Sequence, residues 1–538
     1  MTVSVVNYVA IVLRRGRLTM MGATVARLSG AEEKKMTGTM IANPSLADRR
    51  AHGLEARAKT PPSSHARWAP APDRPDPIAL LEEQNRTREP DLVPVRHGRM
   101  VVSPFTFYRG AAKIMAADLA GTPTAGLTVQ LCGDAHLSNF GGFASPERRL
   151  LFDLNDFDET LPGPFEYDVK RMAASFTIAA RNNGLTAGEG KSATAASVRA
   201  YRQAMSGFAG MRTMDLWYAQ LSEDDLRAAI AKIAPQGLRK KDVKRVKDSK
   251  LSTASKGWST RPTQQIDTEV ARRAARQGDK IMRKAHTRDS LQALSKLGEY
   301  VDGRYRIVSQ PPVVIPARDL AAAYGLAAEE LETVIHHQFR EYRANLPHDR
   351  QRLLERFDII DMARKVVGVG SVGTRAFIVL LQGRDPQDPL FLQIKEATRS
   401  VLEDHLPQSR YGNPGERVVQ GQRLMQAASD IYLGWTKGVQ ADRYYYWRQL
   451  RDMKASALVD TMTAAVLEFY AGLCGWTLAR AHARSGDPVA ITEYLGTDDT
   501  FDRSITQFSQ RYADQNELDY QALVTAIHTG KVPAVEGV

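Results

Sequence analysis

The stretch Leu131–Asp168, LCGDAHLSNFGGFASPERRLLFDLNDFDETLPGPFEYD, decides how the rest of the chain is read. It sets Asp134, His136 and Asn139 within six residues. An apolar run, Leu150-Leu-Phe152, then empties into Asp153, Asn155, Asp156, Asp158 and Glu159. Carboxylates this dense repel one another unless a cation lies among them. Oxygen donors, Asn amides included, suit Mg²⁺, which takes one or two protein carboxylates and completes its shell from water and substrate phosphates. A solvated acidic turn is the plain alternative. It accounts less well for acids placed directly after the strand-like runs Leu127–Leu131 and Leu150–Phe152, because ligands gather where a rigid scaffold passes into a loop.

The 538 residues suggest two to four structural units, and 43% hydrophobic with 25% charged residues is ordinary globular composition. Two cysteines, Cys132 and Cys474, argue against a disulfide framework or a structural zinc site and fit a reducing cytoplasm. No apolar run is long enough to span a bilayer, so no membrane partner is expected. The Val3–Leu13 run has its arginines after it, the wrong order for a secretion signal. The net charge of +12 raises nucleic acid as a partner, but the excess is confined to the first sixty residues and to Arg239–Lys284. No nucleic-acid-binding motif accompanies it, and such runs are ordinarily solvated helix faces. An anionic substrate is served equally well.

In chain order, residues 1–75 read as a disordered basic arm ending in Pro-, Ser- and Ala-rich sequence. Helices are expected over Ile78–Asn85, Phe105–Leu119, Tyr167–Asn182 and Ala193–Leu221, the second opened by Ser103-Pro104. A basic helical insert spans 223–297, with a polar loop at Ser252–Pro262. Arg304–Ile315 reads as extended, but Pro311-Pro312 keeps it out of a sheet centre. Helices follow to Phe357. From 358 to 454 the texture is β-rich, with strands at Ile431–Trp435 and Tyr444–Leu450 and a helix at Gly415–Ala428. Ala455–Arg484 and the remainder read as helical.

A second motif, Gly368-Val-Gly-Ser-Val-Gly373, fits G-x-G-x-x-G. Thr374–Leu381 after it is β-branched and aromatic, which argues against the helix that a dinucleotide fold requires. A glycine turn between two strands, with Lys395 on a third, is instead what a protein kinase lays over ATP phosphates. A plain hairpin with an exposed lysine is the alternative.

Taken together, the two stretches resemble the kinase-like superfamily, above all its aminoglycoside phosphotransferase branch. Cys132-Gly-Asp-Ala-His-Leu-Ser-Asn139 is similar to the catalytic loop H-G-D-x-H-x-x-N, with Cys132 in place of the first histidine. The resemblance implies Asp134 as base, with His136 beside it. It implies Asn139 and Asp156 as Mg²⁺ ligands, Gly368, Gly370, Ser371, Gly373 and Lys395 as the ATP phosphate grip, and Asp168 as a brace. Asp153 and Asp158 compete with Asp156 for the metal. Glu403 and Glu416 are candidates for the acid partner of Lys395, and Tyr108 and Arg109 for contacts to the acceptor.

Because the glycine turn follows the catalytic loop, the resemblance implies an α+β, bilobal, kinase-like fold in circularly permuted order. A β-rich nucleotide lobe (358–454) leads through a hinge-like Arg448–Lys454 into helices (455–538) that complete the large helical lobe begun at 76–357. Pro77 to the C-terminus also resembles a bacterial family catalogued as domain of unknown function 2252. That resemblance is carried by SPFTFYRGAA, QLCGDAHLSNFG, FDLNDFDETLPGPFEYDVKR, KVVGVGSVGTR and LFLQIKEA.

The function expected is ATP- and Mg²⁺-dependent phosphoryl transfer to an unidentified hydroxyl acceptor, a small molecule before a protein. A nucleotide-binding pseudokinase or scaffold and a kinase-fold AMP transferase are the alternatives. A two-metal phosphatase ranks far lower, since His136 alone of eleven histidines sits in a Gly-Asp-x-His motif.

Overall fold

The apolar runs between 358 and 396 pair as an antiparallel meander at the centre of a six-stranded sheet. Strands β9 (Asp358–Lys365), β10 (Ala376–Gln382) and β11 (Pro389–Glu396) form it. Alternate residues of β10 point to opposite faces, as the period of two requires. Val379 and Leu381 pack with Phe339, Tyr342 and Trp447, while Ile378 and Leu380 pack with Leu294, Leu297 and Phe391. Both faces are covered, which is why the strand reads as a continuous apolar run. Strands β12 (Gly434–Lys437) and β13 (Tyr444–Gln449) extend the sheet beyond β11, and β8 (Val314–Pro316) forms its other edge beside β9. The prolines at 311–312 precede that edge strand, where a missing N–H costs least.

The computed structural model describes residues 43–233, 278–320, 328–439, 442–450 and 452–537. Leu46–Val538 form one unit with a mixed α+β architecture. Its largest core lies among the helices Phe165–Asn182, Ala187–Ala209, Ala464–Ser485 and Thr500–His528. A Cβ on Gly475 would stand 2.1 Å from the Ser197 carbonyl, so the 187–209 and 464–485 helices pack backbone to backbone there.

Two small sheets carry the 131–168 stretch. Strand β1 (Thr128–Leu131) pairs with β4 (Leu161–Pro164). Strands β2 (Phe140–Ala144) and β3 (Leu150–Leu154) lie between β14 (Ala455–Ser456) and β5 (Leu221–Ser222). A separate hairpin joins β6 (Gly298–Val301) to β7 (Arg304–Ile307). The turn β1–β2 therefore presents 132–139, the turn β3–β4 presents 155–160, and both face the six-stranded sheet.

Several expectations are revised. Residues 46–75, placed in a disordered arm, contain the helix Leu46–Lys59 and a buried Trp68, tied down by Arg57 to the Tyr494 carbonyl and by Arg74 to Asp118 and Asp519. Those partners lie far along the chain, where local composition cannot reveal them; residues 1–42 lie outside the described residues. The helix expected over Phe105–Leu119 breaks at Gly110–Ala111 into Pro104–Gly110 and Ala112–Ala120. Residues 455–463 form β14 and a 3₁₀ turn, with the helix beginning at Ala464, and the strand expected at Ile431–Trp435 lies at Gly434–Lys437. The sheet draws on 314–316, upstream of the boundary expected at 358. The loop Ser252–Pro262 lies outside the described residues. Among the described residues no helix is long and apolar enough to cross a membrane.

Candidate functional site

The 132–139 turn is held open from below. The carboxylate of Asp168, in the first turn of helix Phe165–Asn182, accepts the Cys132 N–H at 2.8 Å and the Gly133 N–H at 3.0 Å. It also contacts His482 Nε2 at 3.1 Å, and His482 Nδ1 in turn meets the Tyr201 hydroxyl at 2.9 Å. Gly133 has φ +83°, and a Cβ there would meet the Glu159 carbonyl at 2.2 Å, so the β3–β4 turn packs directly on this backbone. Tyr470 closes the far side, its hydroxyl donating to the carbonyls of Leu137 (2.9 Å) and Phe140 (3.0 Å).

Asp134 projects from this turn into a cavity of about 400 Å³ that Arg109, Lys113, Asp156, Asp158, Gly370 and Thr398 also line. Arg171 holds it, with Nε at 2.8 Å and a terminal nitrogen at 2.7 Å from the same oxygen, Oδ1. Arg171 itself stacks 3.8 Å over the Tyr108 ring and donates to the Tyr108 carbonyl. His136 is buried, lies 3.6 Å from Asp134 Oδ2, and lines neither this cavity nor its neighbour. Burial, then the positive charges of Arg109 and Arg171, push its pKa well below the usual histidine value, so it is neutral.

A second cavity of about 550 Å³ adjoins the first and is lined by Asn139, Asp156, Lys395, Gly368, Gln449 and Arg448 among others. Both volumes fall in the range of small-molecule sites. Asn139 donates its amide nitrogen to the Asp134 carbonyl at 2.7 Å, and its side-chain oxygen has no partner among the described residues. Lys395, almost fully buried on β11 between Ala376 and Tyr446, reaches Asp158 Oδ2 at 2.5 Å and Asp156 Oδ1 at 3.7 Å. Burial disfavours its charge, but the two carboxylates outweigh that and hold it protonated well above the usual lysine range.

The two acids differ. Asp158 uses both oxygens: Oδ1 accepts from the Tyr446 hydroxyl at 2.6 Å, and Oδ2 takes Lys395 with Ser371 at 3.4 Å. Burial works against its charge, yet Lys395 and Tyr446 keep its pKa below the usual carboxylate value. Asp156 keeps Oδ2 unpartnered among the described residues, and burial, then repulsion from Asp158, raise its pKa.

The remaining expected acids are accounted for as well. Asp153 is buried against Arg480 and accepts the Ala427 N–H at 2.8 Å, so it ties β3 to the 425–427 turn. Neither Glu403 nor Glu416 partners Lys395. Glu403 caps the 401–404 turn and lies near Arg399 and Arg417, and Glu416 lies in the first turn of helix Pro414–Met425. The acid that pairs is Asp158, a choice invisible in sequence because it lies 237 residues away.

The glycine turn 368–373 joins β9 to β10 over the cleft mouth. Gly368 (φ +67°) accepts from Arg99 at its carbonyl, and Gly373 (φ +88°) packs on the Arg88 side chain and accepts the Glu89 N–H at 2.7 Å. Gly368 and Ser371 line the larger cavity, Gly370 and Ser371 the smaller, and Gly373 neither. Tyr108 is fully buried with its hydroxyl on the Arg171 carbonyl, so it cannot contact an acceptor. Sequence reading missed Arg171, although a position three residues after Asp168 on one helix face is a usable signal. It also missed Arg417, on helix Pro414–Met425, which donates to the carbonyls of Asp158, Thr160 and Thr398 and so fixes the acidic turn to that helix and to the segment after β11.

Among the described residues no group of three or more His, Cys, Asp or Glu side chains is arranged to hold a metal ion. Asn139 and Asp156, both on the larger cavity, form a donor pair suited to a Mg²⁺ that completes its shell from water and phosphate and unsuited to a full protein cage.

The family model described as "Uncharacterized protein conserved in bacteria (DUF2252)" matches residues 88–256 and 241–526. The chain belongs to this DUF2252 family. The matched residues include both turns and the Lys395 strand of the site. No curated protein and no solved structure matches the chain.

Proposed function

We propose that this DUF2252 protein is an ATP- and Mg²⁺-dependent phosphotransferase of kinase-like, circularly permuted architecture. One observation carries the reading: Lys395 and Asp156, from distant parts of the sequence, stand 3.7 Å apart on one cavity that Asn139 and the glycine turn also line. A lysine paired to acids beneath a glycine turn is poised to exchange a carboxylate partner for phosphate oxygens. Asn139 and Asp156 would hold Mg²⁺, which supplies charge neutralisation at the phosphates. Asp134, in the adjoining cavity and oriented by Arg171, accepts the proton of the acceptor hydroxyl. The permuted order is supported by the path of the chain after Gln449. It runs through 452–463 into the 464–485 helix, whose Tyr470 and His482 hold the Asp134 turn.

Calorimetry on the full chain tests the reading. Mg·ATP should bind the native protein and fail to bind Lys395→Met, with binding weakened by EDTA. Absence of nucleotide binding with or without Mg²⁺ refutes it. Mass analysis of products separates the outcomes once binding is seen: ADP marks phosphoryl transfer, pyrophosphate with an AMP adduct marks AMP transfer, and unchanged ATP marks a binding protein.

A further inference from the structure

The two cavities share three lining residues, Arg109, Asp156 and Ser371. Asp134 belongs to the smaller cavity alone, whereas Asn139 and Lys395 belong to the larger alone. A group passing from one cavity to the other therefore passes these three side chains.

Arg109 is the unusual one. It is half-buried at the end of helix Pro104–Gly110, and its Nε is buried without a hydrogen-bond partner. Among the described residues no carboxylate lies within ion-pair distance of it, although Asp134, Asp156 and Asp460 all act on it electrostatically. Three cationic neighbours around the cavities are committed. Arg171 is bound to Asp134, Lys395 to Asp158, and Lys113 to Glu83 and Asp404. The backbone that carries Arg109 is also fixed. The Gly110 carbonyl accepts from Arg96 at 3.0 Å, and a Cβ on Gly370 would lie 3.0 Å from the Arg109 carbonyl, so the glycine turn rests on it. A guanidinium taken partly out of water, with its Nε unpartnered, costs free energy that an anion in the cleft would offset. Its planar fork matches a phosphoryl group in two-point contact.

We infer that Arg109 is a catalytic residue that grips the phosphoryl group in transit between the two cavities, contacting the γ-phosphate of bound ATP. The inference rests on the nucleotide reading above. In the transfer step the acceptor oxygen bonds to the γ-phosphorus as the bond to the β,γ-bridging oxygen breaks. The electron pair leaves on ADP, and the acceptor proton passes to Asp134. Arg109 forms no covalent bond; it offsets the negative charge on the peripheral oxygens of the moving group. Its place at the junction distinguishes this role from reading the acceptor.

The test compares Mg·ATP and Mg·ADP binding by calorimetry to the native full chain, Arg109→Gln and Arg109→Lys. Arg109→Gln should weaken Mg·ATP by about tenfold or more while Mg·ADP stays within about twofold, as expected for loss of one charge-assisted contact to the terminal phosphate. Arg109→Lys should recover part of the preference. An ATP-to-ADP affinity ratio equal to that of the native chain, or equal loss for both nucleotides, overturns the inference. Failure of the native chain to bind either nucleotide overturns the reading beneath it instead. Melting of the nucleotide-free proteins supplies the control. Arg109→Gln should melt no lower than the native chain, because it removes an unpaired charge, and a lower melting temperature assigns Arg109 a structural role. Should Arg109→Gln fail to fold, the ratio for Arg109→Lys decides: reduced supports, unchanged overturns.

Discussion

Lys395 Nζ lies 2.5 Å from Asp158 Oδ2, and this pair joins the six-stranded sheet to the β3–β4 turn. Glu403 and Glu416 are the acids the sequence suggests for this lysine; the acid comes instead from the turn that also carries Asp156. Lysine and metal-ligand candidate are therefore linked through two residues of sequence, Asp156 and Asp158, and any phosphate entering the larger cavity must compete with Asp158 for the ammonium.

Substituting the lysine should therefore be felt in the empty protein. Lys395→Met leaves Asp156 and Asp158 facing one another without their cation. Breaking a fully buried pair costs roughly 3–5 kcal/mol. Asp158 keeps 29% of its side chain exposed, so the expected loss is nearer about 2 kcal/mol. Urea unfolding measures it, and Lys395→Met combined with Asp158→Asn should recover at least half. Full additivity of the two changes would mean the contact carries no coupling energy.

Asp168 makes the second structural demand. Its carboxylate satisfies two buried N–H groups and His482, so Asp168→Ala should cost about 3 kcal/mol or more, at roughly 1–3 kcal/mol for each donor left unsatisfied. Asp168→Asn keeps one acceptor oxygen and should cost about half as much. Amide exchange at Cys132 and Gly133 offers a local check: both amides should lose protection in Asp168→Ala before the global transition. Unchanged protection would mean that the turn is held by other contacts.

These two anchors show what was legible in the sequence. The run from Asp134 to Asn139 and the position of Asp168 follow from local spacing, because a turn after a strand and an acid in a first helical turn are local arrangements. The same holds for the glycine turn, where β-branched residues after Gly373 exclude a helix. What stayed hidden depends on partners far along the chain. Asp158 and Asp153 look interchangeable with Asp156 until Lys395 and Arg480 claim them. Helix Leu46–Lys59 looks like a polar tail until Tyr494 and Asp498 receive Arg57. Strand β14 looks like the start of a helix until it pairs with β2.

Gly133 and Gly126 form a matched pair for testing the loop geometry. Both have positive φ, +83° and +74°, so alanine strains either backbone by about 1 kcal/mol. Only at Gly133 would the added Cβ strike another backbone, the Glu159 carbonyl at 2.2 Å; at Gly126 nothing lies within 4 Å. Gly133→Ala should therefore cost at least about 2 kcal/mol more than Gly126→Ala in urea unfolding, and should also separate the Asp134 and Asp156 turns enough to weaken Mg·ATP. Equal costs would show that the two turns do not pack against one another in solution.

Glu159 gives the site a pH signature whose sign can be worked out. Burial, only partly countered by Arg417 and the Val401 N–H and reinforced by Asp158 and Asp134, pushes its pKa up to about 7 from 4.5. Between those values the folded chain keeps a proton that the unfolded chain has released. Its contribution to stability is unimpaired below pH 4.5, falls as pH rises through the window, and levels off above about 7. Glu159→Gln removes the titration and leaves an amide oxygen for the Val401 N–H, which the Glu159 carboxylate accepts at 2.7 Å. The variant should thus gain on the native chain between pH 5 and pH 8 by on the order of 1–3 kcal/mol, since each tenfold change in proton affinity is worth about 1.4 kcal/mol. Paired urea titrations at the two pH values measure this difference directly. A difference that stays constant with pH would mean Glu159 is charged in the folded protein, and one more charged carboxylate would then line the smaller cavity.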